Sequence, residues 1–170
     1  MDNKLEKIVQ DLKERFGSSL EEFRGETHVF VTAEQIIEAL TLLRDKYEFE
    51  LLSAMTATDY YPQQSPRFHV IYQLSSLAKN LTVQLRVPVN GDNPQVPTAT
   101  GVYQSANWRE REIMDMFGIT AVGHPDPRML LLPDDQEGYP LRKDFPLGYE
   151  EVQFTFNFED IDLRKPYAKE

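Results

Sequence analysis

The tightest constraint on the fold of this 170-residue chain is the density of proline after Gly118. Five prolines follow in short succession, at positions 125, 127, 133, 140 and 146. Proline lacks a backbone N–H and pushes the preceding residue away from helical geometry, so no long helix can form here. The chain is therefore predicted to divide into a folded domain over residues 1–118 and a proline-rich, extended segment over residues 119–170. Such a segment lies over its own domain or docks on a neighbour.

Helical periodicity is confined to the first 118 residues. Apolar residues recur at helical spacing in three places, each with a capping or stop signal beside it. The helices are predicted over Asp2–Phe16, from a capping box at Thr32 and Gln35 through Tyr47, and over Ser105–Phe117, where Asn107 and Glu110 form a second capping box.

Strand-like segments lie between these helices. In Asn80–Pro88 apolar and polar residues alternate, so one face of the predicted strand is buried and the other is exposed to solvent. Further strands are predicted over Ser19–Phe23, Thr27–Val31, Phe49–Ala57 and Arg67–Leu74, and Asn90–Pro97 is predicted to be a loop. Helices and consecutive strands without a strict βαβα order predict an α+β fold. We expect a small mixed sheet with two or three packed helices and an extended C-terminal tail.

A terminal strand is predicted within the extended segment. Val152, Phe154, Phe156 and Phe158 alternate with polar residues. Such a strand either joins the edge of the domain's own sheet or is lent to a partner, and the prolines before it favour the partner. We expect the tail from about Pro133 to be mobile in the isolated protein and ordered in a complex.

Composition excludes several classes of site. The chain has no cysteine, which removes disulfides, thiolate metal sites and cysteine-ligated iron–sulfur clusters. Its three histidines, His28, His69 and His124, show no metal-binding spacing. The formal charge of −10 argues against nucleic-acid binding. That charge suits either a partner with basic surfaces or solubility alone.

No membrane span is expected. The longest purely apolar run is Met129–Leu132, far short of the roughly 20 residues that cross a bilayer. Lys4, Glu6 and Lys7 interrupt any signal peptide. We therefore expect a cytosolic chain that would reach a membrane only through a partner.

The densest charged motif lies on the third predicted helix and contains Glu110, Arg111, Glu112 and Asp115. Arg111 and Asp115 have the i,i+4 spacing of an ion pair on one helix face. Glu112 and Asp115 could serve as a general acid and base. Arginines this close, however, keep carboxylates ionised rather than tuned toward neutral pH. This favours a structural or interfacial network over catalysis.

Two polar clusters lie in the proline-rich segment. His124 and Asp126 share a rigid loop, where a turn with His124 donating to Asp126 or to backbone is favoured over a metal site. Arg142, Lys143 and Asp144 form a compact basic spot. It is either a contact for a partner's acidic groove or an ordinary solvated cluster. With no glycine-rich phosphate loop and no serine elbow, no NADH, flavin or cluster site is expected in the chain.

These residues carry a resemblance to a known family. The matching runs are Glu110–Glu112, Asp115–Ile119, Gly123–Asp126 with Arg128, Pro133–Asp135, Glu137–Gly138 and Pro140–Phe145, with earlier pieces at Thr56–Tyr60, Arg67–Phe68, Ile71–Tyr72 and Ala106–Trp108. From roughly Leu51 to Pro146 the chain resembles the C subunit of respiratory complex I, the 30 kDa subunit family of NADH:quinone oxidoreductase. Pro127 and Gln136 depart from the family, which usually carries leucine and tryptophan there.

The resemblance implies a non-catalytic subunit of the peripheral arm, at the cytoplasmic face of the cell membrane. It implies docking against the D subunit, close to the B subunit, with no redox cofactor in this chain. NADH, FMN, iron–sulfur clusters and quinone would be bound elsewhere in the complex. It also implies fold-stabilising and interface roles for Glu110, Arg111, Glu112, Asp115, His124, Asp126, Arg128, Arg142 and Asp144.

Three alternatives stay open. The chain could be the equivalent subunit of a membrane-bound hydrogenase or a ferredoxin-linked complex. It could be a free-standing acid/base enzyme that uses Glu112, Asp115 and His124. The third alternative is an independent assembly factor.

Overall fold

The computed structural model of the protein describes residues 3–133 and 136–146. In chain order its elements are α1 Asn3–Phe16, β1 Ser19–Phe23, β2 Glu26–Phe30, α2 Ile36–Tyr47, β3 Leu51–Asp59, β4 Phe68–Ser76, β5 Leu81–Val89, β6 Gln95–Pro97, α3 Ala106–Phe117 and β7 Thr120–Val122. The three predicted helices and the five strands predicted within residues 1–118 are all present. Their bounds shift by at most two residues, except that α2 begins at Ile36 and not directly after Thr32.

Strands β1 to β5 form one mixed sheet in the order β1-β2-β5-β4-β3. Short connections make β3, β4 and β5 antiparallel neighbours, whereas β2 pairs in parallel with β5. The β1–β2 hairpin turns at Arg24 and Gly25, whose φ angles of 52° and 82° are both positive. Turns of this kind match the right-handed twist of paired strands. The predicted α+β class with a small mixed sheet is confirmed.

One face of the sheet is buried because its strands alternate. In β4, Phe68, Val70, Tyr72 and Leu74 are buried, and the residues between them are half-buried. Fully burying a side chain of this size contributes roughly 2 kcal/mol of hydrophobic free energy. The same core cluster takes in the apolar stripes of α1 and α2, which are Leu5, Ile8, Val9, Leu12, Ile36, Ala39, Leu40 and Leu43.

Both predicted capping boxes are wrong. Helix α2 has Gln35 at its N-cap without a side-chain cap, and the Thr32 hydroxyl bonds to the Gln35 side chain instead. Helix α3 has Ser105 at its N-cap, again without a side-chain bond. Backbone turns supply the acceptors at α3, since Ala106 N–H donates to the carbonyl of Tyr103. Glu110 is turned toward the interior and is not available for capping.

A second, two-stranded sheet was missed by the sequence pattern. The predicted loop Asn90–Pro97 contains β6, which pairs in parallel with β7 just after α3. Three-residue strands are too short to show alternation, so period-2 analysis cannot find them. The division of the chain at residue 118 stays a prediction. The described chain continues beyond it with β7, whose Ala121 is buried.

The predicted strand Val152–Phe158 lies outside the described residues. Within residues 3–133 and 136–146, no helix has the length and apolar character needed to cross a bilayer.

Two buried tyrosines give the first testable prediction. The Tyr72 hydroxyl is buried without a hydrogen-bond partner among the described residues, whereas the Tyr103 hydroxyl donates to the carbonyl of Phe49 at 2.7 Å. Tyr72→Phe should leave the free energy of unfolding unchanged or raise it by about 1 kcal/mol, because it removes an unpaired polar group. Tyr103→Phe should lower it by about 1 kcal/mol. Urea denaturation of both variants measures the difference, and equal losses would show that Tyr72 is hydrogen-bonded after all.

Candidate functional site

The charged motif on α3 holds the segment that follows β7. We call residues 128–131 the strap. The Arg111 guanidinium, which is buried, donates from Nε to the carbonyl of Arg128 at 2.8 Å and from Nη2 to the carbonyl of Met129 at 3.0 Å. One side chain on α3 therefore binds two successive carbonyl groups of the strap.

Asp115 holds the other half of the strap. Its Oδ2 accepts the N–H of Leu130 at 2.7 Å and the N–H of Leu131 at 2.8 Å. The i,i+4 spacing does put Arg111 and Asp115 on one face of α3, but the predicted ion pair between them is wrong. Arg111 instead donates to strap carbonyls, with its Nη1 3.7 Å from Oδ2 of Asp126. Asp115 accepts strap N–H groups, which have no helix or strand partner.

Glu110 is the most deeply buried charged residue of the motif. It is 1% exposed, and its carboxylate accepts the Thr98 hydroxyl and the Ala99 N–H, both at 2.6 Å. Burial raises the pKa of Glu110, against the lowering effect of these two donors and of His124. The expectation that nearby arginines hold the pKa of this carboxyl down is wrong, because its hydrogen-bond donors are Thr98 and Ala99 and its pKa is raised.

His124 is fixed in one tautomer by two backbone groups. Its Nε2 lies 3.1 Å from the carbonyl oxygen of Asn107, and its Nδ1 lies 3.0 Å from the backbone nitrogen of Asp126. A carbonyl can only accept and an N–H can only donate, so the proton sits on Nε2. The predicted turn with His124 bonded to backbone is confirmed. Nε2 also lies 3.8 Å from Oε2 of Glu110, so helix and turn meet at these two side chains.

Asp126 and Arg128 form a two-pronged ion pair at the start of the strap. Arg128 Nε and Nη2 donate to the two carboxylate oxygens at 2.6 and 2.7 Å. Arg128 lowers the pKa of Asp126 to about 2, with Arg111 adding to the effect and burial opposing it. Arg128 is exposed, so the pair contributes little to stability.

A second charged cluster holds the chain near Asp144. Arg67 and Asp59, both buried, form a two-pronged pair at 3.0 and 2.9 Å. Arg67 also donates to Asp144 at 2.7 Å, and the Lys143 N–H donates to Asp59 at 2.9 Å. Burial acts to raise the pKa of Asp59, but Arg67 and the N–H groups of Lys143 and Tyr61 bring it below its ordinary value.

Arg142 faces the domain as well. Its Nε donates to the carbonyl of Phe117 at 2.7 Å, and its guanidinium lies over the rings of Tyr139 and Phe68 at 4.4 and 5.3 Å. Gly118 has φ +66°, and a Cβ there would overlap the Tyr139 ring. The described residues 136–146 thus have defined contacts on the domain, and the expected mobility of the tail from about Pro133 stays a prediction.

Most of these residues were among the predicted site residues, but the sequence did not identify their partners. Arg111 and Asp115 meet the strap, and His124 meets Glu110. Arg142 meets the end of α3, and Asp144 meets Arg67. Glu112 is half-buried and has no hydrogen bond or ion pair among the described residues. The missed residues are Asp59, Arg67, Thr98 and Ala99. Asp59 had a signal, since it continues the inward alternation of β3 after Ala57.

The described residues contain no candidate metal centre. No group of three or more histidine, aspartate or glutamate side chains among them stands close enough to hold an ion.

The fold and the site define a small α+β domain whose buried charges hold an extended C-terminal segment in place. A model of the family described as respiratory-chain NADH dehydrogenase, 30 Kd subunit, matches residues 29–151. The chain belongs to this family, and the predicted resemblance is confirmed.

Named relatives agree with the family. The C subunit of the NADH-quinone oxidoreductase of Roseiflexus sp. strain RS-1 is 47% identical over 151 residues, which cover 88% of this chain and 86% of the relative. The protein of the same name from Rhizobium rhizogenes strain K84 is 43% identical and covers 97% of this chain and 86% of the relative. The family is thus one of subunits of an oxidoreductase complex.

Solved structures show the same fold. The trypsin-resistant fragment 1–134 of Nqo5 superposes with a TM-score of 0.66 at 32% identity, over 72% of this chain and 98% of the fragment. A chain of the membrane-bound sulfane sulfur reductase, an archaeal respiratory membrane complex, gives a TM-score of 0.74 at 22% identity. It covers 99% of this chain and 97% of its own length. This second likeness is one of fold.

The hold of Asp115 on the strap can be tested by truncation. Asp115→Ala should lower the free energy of unfolding by about 3 kcal/mol, because two N–H groups lose a charged acceptor. Amide hydrogen exchange at residues 130 and 131 should accelerate in parallel. Glu112→Ala, on the same helix but without a bonded partner, should change stability by no more than about 0.5 kcal/mol. Equal effects of the two variants would contradict the geometry.

The raised pKa of Glu110 predicts a pH dependence of stability. A carboxyl with a higher pKa in the folded state holds its proton more tightly there. Its contribution is therefore present at low pH and is lost as pH rises from 4.5 through the raised pKa. Glu110→Gln keeps an acceptor for Ala99 but cannot titrate. The difference in unfolding free energy between wild type and this variant should fall across that range, and a difference independent of pH would refute the assignment.

Proposed function

We propose that this chain is a non-catalytic subunit of the peripheral arm of a proton-translocating NADH:quinone oxidoreductase. In this proposal it docks against the D subunit, near the B subunit and the quinone-reduction module, at the cytoplasmic face of the membrane. The observation that carries the proposal is the use of the α3 charges. In a chain of this family, Glu110, Arg111 and Asp115 are directed into the structure, and the last two hold the strap.

The proposal that the chain is non-catalytic rests on the partners of its carboxylates. Asp115 accepts two backbone N–H groups, Glu110 accepts a hydroxyl and an N–H, and Asp126 is paired with Arg128. A general acid or base must instead reach a substrate in its reactive protonation state. Glu112 is the carboxylate of the motif left without such partners among the described residues, so it is the residue on which the acid/base alternative depends.

The cofactors of the complex are proposed to lie in other subunits. Iron–sulfur clusters are held chiefly by cysteine thiolates, and this sequence contains none. Under the proposal, NADH, FMN, the clusters and quinone bind elsewhere. This chain then supports electron transfer from NADH to quinone by holding neighbouring subunits in position.

Purification of the tagged chain from mildly solubilised membranes tests the proposal. We expect it to recover the D and B subunits in equal amounts with the tagged chain, together with NADH:quinone reductase activity. Recovery of a large subunit with nickel-ligating cysteines would assign the chain to a hydrogenase complex instead. Sub-stoichiometric recovery that disappears from the mature complex would indicate an assembly factor, and no co-purified subunit would contradict the proposal outright.

The acid/base alternative makes a separate prediction. Glu112→Gln in the assembled complex should leave NADH:quinone reductase activity within about twofold of wild type. Blue-native gels would control for assembly. A large loss of turnover in a complex of normal composition would assign Glu112 a catalytic role.

A further inference from the structure

The strap is oriented with its backbone inward. Arg111 and Asp115 together take up two carbonyls and two N–H groups from four successive residues, 128–131. The backbone groups of the strap are bound to α3, and three of its four side chains are exposed while that of Leu130 is half-buried. Met129 and Leu131 are among the exposed residues, and Leu131 keeps 57% of its surface in solvent. A lone domain gains nothing from this exposure.

The exposed strap residues belong to a longer row of exposed apolar side chains along α3. Trp108 is 60% exposed, and the Arg111 guanidinium joins it to the strap, lying 5.5 Å over the indole ring. At the other end of α3, Tyr139 covers Gly118 and the Leu141 N–H donates to the carbonyl of Met116. We call the five exposed residues of this row the α3 ridge: Trp108, Met129, Leu131, Tyr139 and Leu141.

The α3 ridge runs beside a helix of 12 residues, which is roughly 18 Å long. It holds five of the eleven large hydrophobic side chains that are exposed in the described part of the chain. Isolated exposed apolar residues are ordinary, but a contiguous group marks a binding surface. Tryptophan and arginine are also among the residues most enriched in the energetic hot spots of protein interfaces.

Each end of the ridge has a cleft that can receive a side chain. A cleft of about 650 Å³ lies beside Trp108, with Gln104, Asn107 and Asp126 among its lining residues. Another, of about 300 Å³, lies between α3 and the strap and is lined by Met114, Met129 and Tyr139 among others. The surface therefore offers recesses as well as projections, as protein–protein hot spots do.

An exposed charge beside the ridge indicates which kind of group the partner places there. Arg109 is exposed next to Trp108 and has no ion pair within the described residues. In a chain with a net charge of −10, a cation left unpaired beside the most exposed aromatic residue of the ridge favours an acidic group opposite. Complementary charge of this kind orients a partner and speeds its association.

We propose that the α3 ridge is the face through which this chain binds a neighbouring subunit of its complex. The occupant is a segment of that subunit with apolar side chains that pack against Trp108 and Leu131, and with a carboxylate facing Arg109. This inference rests on the proposed function and gives it a location. The charged residues of α3 then act indirectly, by presenting the strap.

Paired variants test the ridge in the intact complex. Trp108→Ala and Leu131→Ser should each reduce the neighbouring subunit recovered with the tagged chain by at least about tenfold. Leu77→Ser is the matched control, because Leu77 is 71% exposed but lies in the turn after β4. Thermal unfolding of each purified chain must match wild type. Undiminished recovery with both ridge variants would overturn the ridge and leave the proposed function standing, whereas failure of wild type to recover any subunit would remove both.

A charge reversal tests the predicted carboxylate. Arg109→Glu should lower recovery at least about tenfold at low salt, and the loss should shrink as salt screens the repulsion. Lys7→Glu, an exposed position on α1, is the control and should have no effect. Equal recovery with both variants would exclude an acidic partner group at Arg109.

Cross-linking identifies the occupant directly. A photo-reactive residue at position 131 should cross-link to one neighbouring subunit, at a segment that contains apolar residues and a carboxylate. The same residue at position 77 should not cross-link to that segment. Cross-links from position 131 to a second copy of this chain, or to residues 147–170 of the same chain, would overturn the assignment.

Discussion

The structure around α3 depends on two charged side chains that bind peptide groups. Arg111 and Asp115 stand one helical turn apart and share four successive backbone groups of residues 128–131 between them. Hydrogen bonds with one charged partner are worth about 1.5–3 kcal/mol each, more than neutral ones. The strap lies in neither a helix nor a strand, so these side chains supply the hydrogen bonds that secondary structure supplies elsewhere. The hydrogen bonds of Arg111 and Asp115 therefore determine the position of the strap after β7.

The same principle operates at the end of β3. Arg67 and Asp59 form a buried pair, and Asp144 with the Lys143 N–H joins it from the C-terminal segment. Buried ion pairs add little net stability, because desolvation of the charges offsets their attraction, but an unpaired member is strongly unfavourable. The buried pair therefore fixes the position at which Lys143 and Asp144 of the C-terminal segment meet the domain. Geometry, more than stability, is what these charges contribute to the domain.

The sheet and helices follow from sequence periodicity because periodicity reports burial. Alternation along β4 and β5, and the apolar stripes of α1 and α2, required no knowledge of long-range partners. The partners of Glu110, Arg111 and Asp115 could not be found this way, because they are groups brought close by β6, β7 and the strap. Spacing on α3 showed correctly that Arg111 and Asp115 share a face. It could not show that the strap, and not the opposite charge, lies against that face.

Because α3 binds the backbone of the strap, the side chains of the strap can vary, but the N–H groups at residues 130 and 131 must be present. Carbonyls at 128 and 129 are present whatever the side chains are, so substitutions there do not alter the contact with Arg111. Residues 130 and 131 must provide N–H groups to Asp115, which proline alone among the residues lacks. The domain can thus exchange the outward side chains of residues 129 and 131 while keeping their positions. A surface built in this way can change its binding preference over evolution without any change to the fold beneath it.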